Sequence, residues 1–164
     1  MYQASVPVFV QMLGSLSAVL KKAAAYAEAK KIDPLVMTGA RLFPDMLPLT
    51  RQVQIASDHA KGACARLSGK EPPAMPDTET SFDELQARIA KTLDYVQTFK
   101  AADIDGSEDK EIVLTIGGQK YPLKGQQYLL HFAIPNLFFH VTTAYNVLRE
   151  QGVEVGKRDF IGKF

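Results

Sequence analysis

The stretch QQYLLHFAIPNLFFHVTTAYNVLREQ, residues 126–151, decides the fold. Leu130, Ala133, Leu137, Val141, Ala144 and Leu148 recur in it at spacings of three and four, the period of a single helical face. Gly152 follows as a stop. Pro135 lies inside the run and has no amide hydrogen, which predicts a kink or a freed backbone carbonyl. So long a helix, apolar along one stripe only, needs other helices to bury that stripe.

The partners are upstream. From Pro7 to Ala29, Phe9, Leu13, Leu16, Leu20, Ala23 and Ala27 keep the same period, with Ser5 placed to cap and Lys30 and Lys31 at the negative end of the helix dipole. A connector from Ile32 to Met46 carries Asp33-Pro34, Gly39 and Pro44-Asp45, which is turn chemistry. Pro48 opens a second helix, lined by Leu49, Val53, Ala56, Ala60, Ala63 and Leu67 and closed by Gly69. A proline-rich loop follows. Ser81 with Glu84 forms a capping box, and Phe82, Leu85, Ile89, Leu93, Val96 and Phe99 line a third helix that should reach residues 101–105. Between the third and fourth helices the period changes to two. Ile112, Leu114 and Ile116, then Gly117-Gly118, then Tyr121 and Leu123 read as a β-hairpin. The reading is all-α: one domain over residues 1–164, a four-helix bundle with a hairpin before its last helix.

Composition narrows the function. Nineteen basic residues against eighteen acidic ones leave a net charge of +1, against the strongly basic balance of nucleic-acid binders. The single Cys64 permits no internal disulfide and no multi-cysteine zinc site. The apolar runs around Phe132–Pro135 and Leu137–Phe139 fall far short of the roughly 20 residues of a membrane helix, and the first ten residues lack an export signal's basic start. The expectation is a cytoplasmic protein with neither a nucleic-acid nor a membrane partner.

Three histidines remain. At about 100° per residue, His59 lies roughly 80° from the centre of the second helix's stripe, and His140 roughly 60° from that of the fourth. Both are boundary residues. His131 is nine positions from His140, about half a turn around a regular helix, and cannot share an ion with it. Asn136 is four before His140 and on its face, and Thr143 continues that face. Gln52 lies on the His59 flank two turns earlier. Two readings stay open: a metal or substrate site between the second and fourth helices, or boundary side chains that pack and hydrogen-bond. Cys64 sits beside Ala60 and Ala63 and reads as a buried thiol. Gly117-Gly118 has no helix N-terminus or Gly-Lys-Ser after it and is not a phosphate loop.

The helix order, with His59 on the second helix and Asn136-Leu-Phe-Phe-His140 on the fourth, resembles the DinB/YfiT-like superfamily of bundle metalloenzymes. The wording Phe43-Pro-Asp-Met-Leu-Pro-Leu-Thr-Arg-Gln-Val-Gln, Ser57-Asp-His-Ala-Lys-Gly, Phe138-Phe-His-Val-Thr-Thr-Ala-Tyr and Gly152-Val-Glu-Val-Gly-Lys-Arg-Asp-Phe is closer still to a bacterial branch of unknown function. The resemblance implies a divalent metal (zinc, nickel, iron or manganese) on one histidine of the second helix and an H-x3-H pair of the fourth. Those positions are His59, Asn136 and His140, so an asparagine replaces one family histidine. It further implies a thiol-dependent transferase or a hydrolase acting on a small molecule; by their helical positions Gln52 and Thr143 would line the pocket. The alternative is a non-catalytic bundle that has lost the metal and binds a small ligand. Bundles with apolar flanks associate, so a homodimer is expected.

Overall fold

The structure, a computed structural model, describes residues 1–163; Phe164, the last residue of the single domain read above, lies outside them. Four long helices make the body: α1 (Val6–Lys30), α3 (Leu49–Ser68), α4 (Phe82–Gln97) and α7 (Ile134–Glu150). Short helices join them: α2 (Pro34–Thr38), α5 (Ala101–Ile104), α6 (Gly125–Tyr128) and α8 (Lys157–Ile161). Strands β1 (Glu111–Ile116) and β2 (Gln119–Lys124) form one antiparallel hairpin. Helix α1 packs on α4 and α7, and α3 packs on the same two, so the four helices close a ring around one core. Phe9, Leu13, Leu49, Val53, Leu85, Ile89, Leu137 and Val141 fill that core.

The expected capping box holds in detail. The Ser81 hydroxyl accepts from the Glu84 amide at 3.2 Å, and the Glu84 carboxylate accepts from the Ser81 amide at 2.9 Å, completing the capping box. Phe160 of the tail docks edge-on against Tyr145, centroids 5.9 Å apart. The Tyr145 hydroxyl donates to the Val155 carbonyl at 3.4 Å.

Other expectations are corrected. Ser5 does not cap α1 with its side chain; its hydroxyl turns back to the Met1 and Tyr2 carbonyls. The third helix ends at Gln97, and Phe99 stays buried from the turn beyond it, which made the period look longer than the helix. The connector is not all turn, because Asp33 caps the short α2 through the Leu35 amide at 2.9 Å. Helix α1, extended to Tyr2, is long and apolar enough to cross a membrane by length and composition. Counting uninterrupted apolar runs overlooks it, because Gly14, Ser15 and Ser17 break the run. Its apolar face is buried in the bundle core.

The largest correction falls on the opening stretch. Residues Leu129–Ala133 between α6 and α7 are π-helical. A wider turn before Pro135 is one way a helix accommodates a residue without an amide donor, and it shifts the helical register. Leu130, expected in the core, is exposed, while Tyr128 and Leu129 are buried in its place.

Candidate functional site

His59 reaches the site from the middle of α3, and His140 from α7, the helix packed beside it. Their rings are nearly parallel, 15° apart, with centroids separated by 5.9 Å. Phe132 meets His59 edge-on, and Phe139 meets His140. The two boundary histidines thus lie side by side between α3 and α7.

Burial, the positive potential of neighbouring His140 and that of Arg66 lower the His59 pKa to about 4, against an opposing pull from Asp58. Burial alone lowers His140. Both rings are neutral at pH 7, the state in which imidazole ligates a metal or accepts a proton.

Gln52 fixes how His140 presents itself. The Gln52 amide nitrogen donates to the Leu47 carbonyl at 2.9 Å, so its oxygen is the end that meets His140 Nδ1 at 2.7 Å. Nδ1 then carries the proton, and Nε2 is left with its lone pair. Gln52 is 2 % exposed. It holds the histidine from behind instead of facing an open pocket.

Asn136 and Thr143 stay close to their own helix. The Asn136 amide donates to the Phe132 carbonyl at 2.7 Å, inside the π-helical turn, which leaves its Oδ1 for another partner. The Thr143 hydroxyl donates to the Phe139 carbonyl at 2.7 Å. His131 is exposed and lines a separate, smaller hollow with Leu114 and Tyr121 of the hairpin. Burial pushes the Cys64 thiol up to about 12, so it is not a nucleophile. Asp58 turns from its neighbour His59 to Lys61, at 2.6 Å, and to Arg88, at 2.8 Å.

The sequence reading missed the cavity. A space of about 580 Å³ opens beside His59. Phe132, Arg66 and Asp58 line it with His59 on the helical side, and strand β1 walls the other side along its length. Helical spacing carried part of this: His59, Gly62 and Arg66 stand three and four apart on α3. The hairpin's role was not legible, because nothing in residues 111–124 says which side of the bundle they cover. It is anchored where the chain passes Ser107: a Cβ on Gly125 would stand 2.0 Å from the Ser107 carbonyl oxygen, so only glycine lets the chain enter α6 there.

Residues 1–161 match a family described as a domain of unknown function, DUF1993. The chain belongs to that family. A DinB family member from Shewanella denitrificans, solved by crystallography, shares its fold with a TM-score of 0.93 and 44% identity, over 99% of this chain and 92% of that one. The DUF1993 chain is thus a DinB-like helical domain, as the residues around His59 and His140 implied. No curated protein matches it.

Among the described residues, no three His, Cys, Asp or Glu side chains are grouped to hold a metal. What the structure brings together is two imidazoles, with the Asn136 amide one turn before His140 on α7. The 5.9 Å between ring centres is close to the separation of two imidazoles on one ion at a metal–nitrogen distance near 2.1 Å, and the near-parallel rings would have to turn for both in-plane lone pairs to meet it. Both are neutral, and His140 is backed by a hydrogen bond to its other nitrogen, as metal-bound histidines are. The amide is a weaker third donor than the imidazole it replaces.

Proposed function

We propose that this chain is a DinB-like enzyme that acts on a small molecule at the His59–His140 pair and takes up a divalent metal there. The observation that carries the reading is the facing of two neutral imidazoles across α3 and α7, with Gln52 directing the free Nε2 of His140. His59 and His140 would hold the ion, and the Asn136 oxygen would complete the protein's set. When bound, the metal would activate a water or a thiol as nucleophile near neutral pH, in the manner of a hydrolase or a thiol-dependent transferase. The chain's own part is to keep both rings neutral, to orient one of them through Gln52, and to screen the pair with Phe132 and Phe139. Zinc, nickel, iron and manganese all suit such donors.

The test is metal content of untagged protein, with His59→Ala and His140→Ala beside it. Bound metal in the parent and its loss in both variants is the expected result. Added zinc at a hundredfold excess over Kd should raise Tm by about 5–10 °C. No metal and no shift would sink the metal reading.

One observation favours a second reading, a non-catalytic small-ligand bundle without metal. The Asn136 amide is bonded within its own helix, which is what a packing residue does. That form would associate as a homodimer, for which the exposed Leu35, Val36, Phe43 and Leu47 offer an apolar face. Sedimentation of the metal-free protein checks it, with a mass twice that of the chain expected.

A further inference from the structure

Arg66 carries an observation that the histidine pair does not use. Its guanidinium lies back along α3 over Gly62, where a Cβ would come within 2.4 Å of Nη1. Glycine is less favourable than alanine inside a helix, and here it leaves the notch in which the guanidinium rests. Nη1 also donates to the Tyr128 hydroxyl at 3.2 Å. Tyr128 itself is fully buried. A guanidinium has five donor hydrogens, and this hydrogen bond accounts for one.

The other cations of the cavity are similarly placed. Lys110 Nζ donates to the Leu67 carbonyl at 3.2 Å, and Lys70 Nζ lies 4.9 Å from the centre of the Phe99 ring. Among the described residues none of the three is ion-paired, whereas Lys22, Arg51, Lys61 and Arg88 all are. Acidic side chains do line the same space. Asp58 is engaged by Lys61 and Arg88, and Glu71 and Glu111 are exposed in the same lining as the exposed Lys70 and Lys110. Val113, which is half exposed, and Phe132 add apolar surface for the rest of a molecule.

We infer that the cavity beside His59 binds a small molecule with an apolar body and one carboxylate or phosphate group, recognised by Arg66 in its Gly62 notch. The inference rests on the reading of this cavity as a small-molecule site, and it is independent of the metal. A guanidinium fork binds either anion through paired, charge-assisted hydrogen bonds, and the cavity volume falls in the usual range for such ligands.

The test is calorimetric titration of the metal-free protein with 3-phenylpropionate, phenyl phosphate and the neutral 3-phenylpropanamide. At least one anion should bind, and the amide should bind at least about tenfold more weakly. Whichever anion is tighter identifies the group. Arg66→Gln should weaken it by about tenfold or more. Gly62→Ala keeps the guanidinium but fills its notch, and should weaken it as well. Lys91→Gln, which removes an exposed cation of α4, should leave binding unchanged. If Arg66→Gln fails to fold, Gly62→Ala and Arg66→Lys carry the test. Equal binding of anions and amide, no binding of any probe, or Arg66 and Gly62 variants that bind like the parent would overturn the proposal. Metal uptake is read separately, so loss of anion selectivity with uptake intact defeats this inference alone. Anion selectivity without uptake defeats the metal reading alone.

Discussion

A single buried glutamine sets the chemistry of His140. Gln52 is held through both ends of its amide, so it imposes one tautomer on the ring it touches. Gln52→Leu keeps the volume but leaves Nδ1–H facing an apolar side chain. It should lower stability by about 1–3 kcal/mol, the cost of an unmet buried donor, as read by urea unfolding. In the proposed metal form it should weaken metal affinity about 10- to 100-fold, as loss of an outer hydrogen bond does. Helical angles placed Gln52 on the right flank of the second helix. They could not show which end of its amide faces the ring, because that depends on the Leu47 carbonyl in the preceding connector. Asn136 was legible as a departure from the resembled histidine pattern. Its bond to the Phe132 carbonyl was not, because that bond depends on the local geometry of a turn the sequence reading took as regular.

The fourth helix shows where a periodic reading loses hold. Its span was visible from Gln126 to Gln151, and α6, the π-helical turn and α7 together fill almost all of it. Angular arithmetic assumes a constant number of residues per turn, and the turn ahead of Pro135 breaks that assumption. The substitutions that test this register are Leu129→Ala and Leu130→Ala. Leu129 is fully buried, and its truncation should cost about 2–5 kcal/mol. Leu130 is 42 % exposed, and its loss should fall within about 0.5 kcal/mol. A regular helix would reverse that order in a denaturation experiment. The hairpin was readable as an element for the opposite reason: two-residue alternation around Gly117-Gly118 depends on neighbours alone. Its placement against α3 depends on the crossing at Gly125 and Ser107, which lie far apart from His59 in sequence.

At the scale of the molecule, the histidine pair, one ring buried and the other half-buried, ties stability to acid. The folded His59 pKa of about 4 lies below the ordinary 6.5, so the unfolded chain takes up its proton first as pH falls. Its contribution is fully present above about pH 6.5 and is lost as pH falls toward about 4, up to about 3 kcal/mol. His140 acts in the same direction. Tm measured from pH 7 to pH 4.5 should fall, and His59→Phe should flatten the slope; an equal slope in the variant would place the acid sensitivity elsewhere. The bundle supplies this pair from two long helices that no ligand needs to move. The facing wall is different in kind. Residues 111–124 leave the bundle after Lys110 and rejoin it at Gly125, and no histidine of the pair depends on them. In the proposed function the histidine pair would be the fixed reactive floor and the hairpin, seated on the core by Ile112 and Leu114, the element that sets specificity. Exchanging that one segment between relatives should alter which molecule is accepted while leaving the histidine chemistry in place, a starting point for redesign that needs no cut in any long helix.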